Sequence, residues 1–545
     1  MQLEQILKRH DALKAIKDGY WKNLWRDVRH YVYPNYDFER SEGGQRGEEI
    51  FDTTAEDARQ RLASGIYQWM APPDKRWFEL TADDDELAKK ENVRTYFSTA
   101  TAKIMEGLAN SNWSSNLIMV LNELACGLDG IVYTEDGGAE HPFNFRVFPV
   151  EQVCYAENEK GVVDTVFRDY EETARNLVEQ FGEENVGNEV RQKANDPKNM
   201  DAKFDVIHAV FPRKERDSKK ADKPNKPFAD FYILPKQKII LREGGYDEFP
   251  FAVCRFEKAV NESYGRGPGV NKLPDIKMLN RERESYKLIL EHMADPGWLI
   301  PDGSVVDTKK FDKSPGKLHI YRAGARGEKP EPIVLRNEIG RLREDIEAER
   351  QKIQNGFFWD IFDPLGELRN MTATEAEIRE GGKLVPFAPI AGNLHSELFS
   401  RVIQRCYAIL DRRGELPELP MDLAQKPSYK TVFVSKIALA IRKIETLGWL
   451  QTEQSLNGLT AVNPEIFDNF NTDEIARDIA ESNGAPPKWF RSKNEVEQMR
   501  AARAEARQRQ QAQQMIMEGG KNLPAFGKAP ESGSPLSLVM KGQGV

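Results

Sequence analysis

Two long helical patterns, separated by 40 residues, constrain the fold of this chain more than any other feature of its sequence. The first begins at Pro274, a residue type favoured at the first position of a helix, and ends before Pro296. Its apolar side chains recur at helical spacing, at Ile276, Leu279, Tyr286, Ile289 or Leu290, and Met293. The second begins near Asn337 and places on one stripe Ile339, Leu342, Ile346, Ile353 and Phe357. Both stripes are narrow and the other faces are charged, so we expect the helices to need neighbours, which identical helices in a ring would supply.

The segment between the two patterns, 297–336, has a different character. Its strand-like pieces "GWLIP" and "GKLHIYRA" lie among many glycines and prolines. We therefore expect a small β-rich insert between two long helices.

The N-terminal half predicts a mixture of helices and strands. Helical patterns precede Pro34, follow Thr54, and are expected across Glu86–Leu108 and Asn112–Ala125. From 131 to 256, β-branched and aromatic runs alternate with turn signals, interrupted by a single helix, "EETARNLVEQFG". Helical patterns dominate again towards the C-terminus. The fold class predicted is therefore α+β and mostly helical.

Bulk composition restricts the function. Net charge is −9, whereas tight nucleic-acid binders carry a basic patch that releases counterions from phosphates. No apolar run is long enough to span a membrane, and the N-terminal segment lacks the apolar core of a signal peptide. Four widely spaced cysteines predict reduced, semi-buried thiols rather than disulfides or a zinc site: Cys126, Cys154, Cys254 and Cys406.

The stretch "YGRGPGVNKLPDIKMLN", 264–280, resembles a phosphate-binding loop because glycines occupy positions 265, 267 and 269 ahead of a helix. A dinucleotide loop requires G-x-G-x-x-G with free backbone N–H groups. Here Pro268 removes one N–H and Pro274 occupies the helix start. The alternative is a sharp turn that uses the tolerance of glycine for positive φ.

Other candidate sites also have simpler explanations. Asp83, Asp84, Asp85 and Glu86 lack the spacing of a calcium loop and suit a solvated helix N-terminus. Trp77 and Phe78 could form a stacking platform, but core packing is the better interpretation. The chain has no P-loop, HExxH or GxSxG motif, so we expect no enzymatic activity, no metal and no cofactor.

Several stretches together resemble the portal proteins, or head-to-tail connectors, of short-tailed bacteriophages. They are "IFDTTAEDARQRLASGIYQWMAPPDKRWFEL", "FRVFPVEQVCYAENEKGVVDTVFRDY", "FPFAVCRF…ESYGRGPGVNKLPDIKMLN", "MTATEAEIRE" and "PPKWFRSKNEVEQMRAAR". They follow family order from about residue 15 to residue 510. One departure is Gly381 and Gly382, which interrupt a stretch expected to be more helical.

The resemblance implies a ring, typically of twelve subunits, at one capsid vertex, with wing, stem, clip and crown regions. The sequence patterns divide accordingly into wing 1–270, first stem helix 271–296, clip 297–336, second stem helix 337–358, tunnel loop 359–371, wing and crown helices 372–470, crown helices 471–517 and a disordered tail 518–545.

The resemblance also implies a channel for double-stranded DNA packaging, retention and ejection. Such a channel cannot form many lasting phosphate contacts, so we expect acidic lining from stem residues such as Asp275, Glu282, Glu344 and Glu347. The tunnel loop is expected to project towards DNA, and Arg369 is expected to contact DNA transiently. The loop residues expected near DNA are Asp360, Asp363, Pro364, Leu365, Gly366, Glu367, Arg369 and Asn370. The glycine stretch becomes a wing–stem junction formed by Gly265, Arg266, Gly267, Pro268 and Gly269. There, Arg266 either ties neighbouring subunits together or is solvated.

Partners follow from the resemblance alone. The clip would contact the terminase and later a tail adaptor protein, the wing would contact major capsid and scaffolding proteins, and the crown would meet internal core proteins. The expected location is the virion, after assembly in the host cytoplasm, with no membrane contact. Two alternatives are another virion protein, such as a tail adaptor or scaffold, and a nucleotide-dependent packaging enzyme, against which the absence of a P-loop counts.

Overall fold

The computed structural model describes residues 3–36, 49–138, 140–217, 220, 222–299, 331–332, 339–362, 384–424, 428–457, 466–482, 485, 489–491 and 493–521. The chain divides into two compact units, Met1–Ile466 and Phe467–Val545.

The first unit begins with a helical region. Its helices are α1 Leu3–Ile16, α2 Lys22–Val32, α3 Thr54–Met70, α4 Asp85–Ala88, α5 Glu91–Ala109 and α6 Trp113–Cys126. The predicted helices are confirmed except across Glu86–Leu108, where the prediction of a single continuous helix was wrong. Lys90 has extended backbone (φ −71°, ψ 133°), so the chain forms one short helix and then a long one. Asp84 accepts a hydrogen bond from the Glu86 N–H at 2.9 Å, as expected for an acidic helix N-terminus.

Two antiparallel sheets follow. Their strands are β2 Gly130–Asp136, β3 Phe143–Phe148, β4 Val153–Glu157, β5 Val163–Thr173, β6 Lys203–Pro212, β7 Phe228–Leu234, β8 Ile239–Tyr246 and β9 Phe251–Cys254. An earlier strand, β1 Phe78–Ala82, belongs to neither of these sheets. A three-stranded sheet has the order β3-β2-β9, and a five-stranded sheet has the order β4-β5-β6-β7-β8. The predicted helix "EETARNLVEQFG" is confirmed as α7 Ala174–Phe181, which ends before Gly182, a residue with positive φ. A second helix, α8 Gly187–Ala194, follows it and was not predicted.

Both long helices are confirmed. After the short α9, Pro268–Asn271, come α10 Leu273–Ala294 and α11 Ile339–Gly356. Between them, β10 Trp298–Leu299 pairs antiparallel with β11 Glu331–Pro332. Lys352 near the end of α11 pairs with Asp275 at the start of α10, so the two helices run antiparallel.

The C-terminal part of the first unit packs against its N-terminal half. It contains α12 Ala388–Asn393, α13 Ser400–Arg412, α14 Met421–Ala424, β12 Tyr429–Phe433 and α15 Lys436–Asn457. Strand β12 pairs antiparallel with β1. Trp77 and Phe78 are buried there, with Trp77 packed on Phe399 and Phe433, so they are core residues and not a stacking platform.

All four cysteines are free, as expected, but they are fully buried rather than semi-buried. Within the described residues, no helix has the length and apolarity that a membrane crossing requires. Nor do three or more His, Cys, Asp or Glu side chains in that part of the chain gather as a metal site.

The second unit contains α16 Thr472–Ser482 and α17 Lys493–Lys521. Helix α17 runs four residues past the predicted end at Met517. Its described side chains are half-buried or exposed, as expected for a helix that is polar nearly all round. The remaining tail, 522–545, lies outside the described residues.

Candidate functional site

The glycine stretch packs directly on the C-terminal end of α6. A Cβ on Gly269 would lie against the Cys126 carbonyl oxygen, closer than any real Cβ contact. A Cβ on Gly267 would lie 2.8 Å from the Gly127 Cα atom. Neither glycine has positive φ, and Gly267 has extended backbone, so the expectation of a positive-φ turn was wrong. Glycine is required here because two backbones approach closely.

A buried carboxylate, that of Asp129, also holds the glycine stretch in place. Asp129 is 1% exposed and accepts hydrogen bonds from the Gly265 N–H at 2.9 Å and the Tyr155 hydroxyl at 2.7 Å. Burial raises the pKa of Asp129 to about 7, although these two donors act to lower it. Tyr264 packs beside this pair, with ring centroids 4.7 Å from Tyr155 and 5.1 Å from Trp25. The start of the stretch is therefore held by both polar and aromatic contacts.

Arg266 has a partner within its own chain. Its guanidinium donates to the Glu262 carboxylate at 2.6 and 2.8 Å and lies 5.0 Å from the Trp21 ring centroid. Its backbone exchanges two hydrogen bonds with Glu257. A tie from Arg266 to a neighbouring subunit stays a prediction, and it would have to compete with Glu262.

The N-terminal half of α10, its base, is anchored on the 49–52 segment. The Asn280 side chain donates to the Glu49 carbonyl at 2.8 Å and accepts from the Phe51 N–H at 2.7 Å. Asp52, beside them, pairs with Arg350 of α11 at 2.7 Å. One segment, 49–52, thus fixes both long helices.

The acidic stem candidates lie in different surroundings. Asp275 accepts from Lys352 at 2.8 Å and Lys272 at 3.3 Å. Burial alone would raise the pKa of Asp275, but these lysines hold it below its usual value. Its charge is therefore largely neutralised within the chain.

Glu282 is the opposite case. It faces Glu349 and Asp345 of α11, and one of its carboxylate oxygens is buried without a hydrogen-bond partner among the described residues. Burial, followed by repulsion from these two carboxylates, raises the pKa of Glu282. The helix pair therefore contains like charges at close quarters.

The two α11 candidates are exposed. Glu347 pairs with Arg350 at 3.3 Å, whereas Glu344 has no ion pair with any described residue. Of the four candidates, Glu344 is therefore the one that is exposed and has no ion pair with a described residue.

The exit of α11 towards the expected tunnel loop is anchored on α3. Arg61 stacks on Trp359, 4.1 Å from the ring centroid, and donates to the Phe362 carbonyl at 3.3 Å. The Phe362 ring covers Gly65, where a Cβ would overlap it. Asp360 is exposed in this segment. The other loop candidates lie outside the described residues: Asp363, Pro364, Leu365, Gly366, Glu367, Arg369 and Asn370.

The sequence analysis did not identify two residues that contact the start of the glycine stretch, Arg255 and Asp129. Arg255 is buried and pairs with Glu157 and Glu397, joining β9 to β4 and to the π-helical turn Leu394–Phe399. A lone buried arginine gives no pattern in the sequence. Asp129 could have been suspected only from its place in an apolar run before β2.

Comparison with known proteins gives matches over nearly the whole chain. The family model of the bacteriophage head to tail connecting protein matches residues 3–490. The probable portal protein of Bordetella phage BPP-1 is 26% identical over 539 residues, covering 97% of this chain and 96% of that protein. The portal protein of Salmonella phage epsilon15 is also 26% identical over 539 residues, covering 95% of each.

A solved structure also matches, at a lower level. It is a chain of the virion of a native gene transfer agent (GTA) particle, at 10% identity and a TM-score of 0.31, over 70% of this chain and 92% of that chain. That score is too low to establish a shared fold.

Proposed function

The chain belongs to the family of bacteriophage head-to-tail connecting proteins, and on that premise we propose that it is the subunit of a portal ring. The ring, of typically twelve copies, sits at one capsid vertex and forms the channel through which double-stranded DNA is packaged, retained and ejected. The role is structural, and the subunit itself catalyses no reaction.

The observation that carries this proposal is the contrast along α10. Near its start, Ile276 and Leu279 are buried, whereas towards its end Leu290 and Met293 are 43% and 55% exposed. Contiguous exposed apolar residues mark an interaction surface. In a closed ring, the same helix of each neighbouring copy is available to cover them.

The charge of the chain suits a conduit for DNA. Each lasting contact between a basic side chain and a phosphate adds affinity, which would hold DNA in the channel. A net charge of −9 per chain disfavours such contacts, and the exposed Glu344 places negative charge on the stem. In this proposal Arg369 contacts DNA transiently at the tunnel loop.

The regions take their roles from the family plan. The β10–β11 pair marks the base of the clip, which contacts the terminase and later a tail adaptor protein. The two sheets belong to the wing, which contacts capsid and scaffolding proteins, and α17 belongs to the crown, which meets internal core proteins. The assembled protein is a virion component at the capsid vertex, formed in the host cytoplasm.

Negative-stain electron microscopy of the purified full chain tests the proposal. We expect a ring with an axial hole and a mass of several hundred kilodaltons. A monomer or a filament would refute the portal assignment. ATP hydrolysis by the purified ring would instead favour the packaging enzyme.

A variant pair locates the ring contacts. Combined Leu290→Glu and Met293→Glu substitutions are expected to abolish rings and leave folded subunits, because both side chains are solvent-exposed in the single chain. Glu284→Gln, exposed on the same helix, is the matched control and should leave rings intact. Rings that survive the double substitution would show that the end of α10 is not an interface.

The tunnel loop needs a separate test. We expect Arg369→Ala rings to assemble but to package or retain less DNA in an in vitro packaging assay. Normal filling and retention would remove the proposed role of Arg369.

A further inference from the structure

A cleft of about 640 Å³ opens between the three-stranded and the five-stranded sheet. Its wall on β3 is Phe148, and its floor is a row of side chains on neighbouring strands, Arg168, His208 and Tyr232. His208 and Tyr232 stack with ring centroids 4.2 Å apart. Most of the other lining side chains are polar or charged, so the cleft is mainly polar with an aromatic floor that is fixed by the register of the sheet.

Arg168 lies at the β5 end of this row, against Phe148. Its guanidinium carbon is 3.8 Å from the Phe148 ring centroid and 4.3 Å from that of Tyr170. Burial lowers the pKa of Arg168, the reverse of what an ion-paired arginine experiences. Its one hydrogen bond among the described residues is a long one, from Nε to Gln152 at 3.4 Å. The two terminal nitrogens, which carry four N–H donors, are thus left for another acceptor.

The other cations around the cleft are already paired. Arg146 lies 3.3 Å from Glu135, and Lys203 lies 3.3 Å from Glu171. Arg242, at the far end of the same row, lies 3.4 Å from Asp230, which also bonds His208 at 2.8 Å. Arg168 makes no ion pair with any described residue, although it is half-buried. A guanidinium in that position is stabilised by an anion that approaches its free edge.

We propose that this cleft binds a carboxylate side chain of an acidic peptide segment supplied by a protein partner. The carboxylate would accept two parallel N–H bonds from the terminal nitrogens of Arg168. The neighbouring apolar part of the peptide would pack against Tyr170, which is half-buried. This inference concerns a single subunit and holds whether or not the chain forms a ring.

The surroundings favour a carboxylate over a nucleic-acid phosphate backbone. Glu172 also lines the cleft and makes no ion pair with a described residue, so its charge would repel a continuous run of phosphates. A single carboxylate matches the single unpaired guanidinium of Arg168. Tyr170 offers an aromatic surface on which an amino-acid side chain beside the carboxylate can pack.

The test uses the full chain and two blocked peptides, N-acetyl-glycyl-glutamyl-glycinamide and its glutamine counterpart, in saturation-transfer NMR. We expect millimolar binding of the glutamate peptide and at least about tenfold weaker binding of the glutamine peptide. Arg168→Gln should weaken glutamate-peptide binding by at least about tenfold, whereas the control Arg146→Gln, on a paired and more exposed arginine, should not. Arg168→Lys keeps the charge without the bidentate geometry and should give an intermediate loss.

The possible outcomes separate cleanly. Equal binding of the two peptides, no binding of either to the wild-type chain, or binding unchanged by Arg168→Gln would each overturn the proposal. Arg168-dependent binding of a short DNA duplex, tighter than that of the peptide, would reassign the cleft to phosphate. If Arg168→Gln fails to fold, the contrast between the two peptides on the wild-type chain and on Arg168→Lys decides.

Discussion

The two ends of α10 belong to the same amphipathic pattern but lie in different surroundings. At its base, Leu279 is 2% exposed and Asn280 bonds the 49–52 segment on both sides of its amide. At its far end, Leu290 and Met293 are exposed in the single chain, to 43% and 55%. The base is over-determined by contacts within the subunit, whereas the far end offers apolar surface that nothing in the described part of the subunit covers.

This difference separates folding from assembly. Substitutions at the base should act on the free energy of unfolding of a single subunit. Substitutions at the far end should act on association and leave the subunit stable. The predictions below are best measured in the Leu290→Glu, Met293→Glu background, in which the proposed ring contacts are removed.

The largest effect is expected at Gly269, beside the base of α10, and Gly340 near its far end is the matched control. Gly269→Ala should lower the free energy of unfolding by more than about 4 kcal/mol, or prevent folding, because the new Cβ meets the Cys126 carbonyl. Gly340→Ala, near the far end in α11, meets no atom within 4 Å and should be neutral or stabilising by up to about 1 kcal/mol. Urea unfolding followed by circular dichroism measures both. A Gly269→Ala chain within about 1 kcal/mol of its parent would mean that the base is not tightly packed.

The next effect is a pH dependence at the base. The folded-state pKa of Asp129 is raised to about 7, so its contribution to stability is complete below the unfolded value, 3.8, and is lost as pH rises to about 7. Asp129→Asn should remove this slope. The stability of the parent relative to the variant should therefore fall by up to about 4 kcal/mol between those pH values.

The test for Asp129 is how the stability difference between the parent and Asp129→Asn changes with pH, and not the size of that difference at one pH. The asparagine changes the hydrogen bonds to Tyr155 and Gly265, but that cost is the same at every pH. Parallel pH profiles for the parent and Asp129→Asn would contradict the raised pKa.

A smaller effect is expected where α10 meets α11. Asp275→Asn should cost about 1 kcal/mol at neutral pH, because it removes the carboxylate that joins Lys272 and Lys352. The pKa of Asp275 is lowered in the folded protein, so this loss should vanish as pH falls through the folded-state value. Glu344→Gln, which removes an exposed and unpaired charge, is the control and should change little. Equal effects of the two substitutions would argue against the Asp275 ion pairs.

The smallest effect has the opposite sign. Glu282→Gln should raise the free energy of unfolding by a few tenths of a kcal/mol at neutral pH, because it relieves repulsion from Glu349 and Asp345. Since the pKa of Glu282 is raised, the gain should shrink as the pH is lowered and the parent carboxyl becomes protonated. Thermal unfolding at two pH values measures it. A destabilised Glu282→Gln chain would show that the carboxylate has a partner.

Local patterns predicted much of the fold. Pro274 and the apolar repeat that follows it placed α10 to within one residue at each end, because periodicity and helix-start signals are local. The same kind of signal failed at Lys90, where one extended residue divides a helix that the apolar repeat continues across. Asp275 and Glu282 could be named from sequence, but the directions of their pKa shifts could not. The two differ because Lys272 and Lys352 contact the first, whereas Glu349 and Asp345 of α11 face the second.

By itself, the sequence determined the two long helices, the mixed character of the first half and the resemblance to head-to-tail connectors. Only the tertiary structure decided why the glycines at 265–269 are required. Their partners Cys126, Gly127 and Asp129 are more than 130 residues away in the chain. A pattern within one segment reports the backbone conformations open to that segment. Close approach between two distant backbones, and the pKa of the carboxylate buried between them, exist only after the chain has folded.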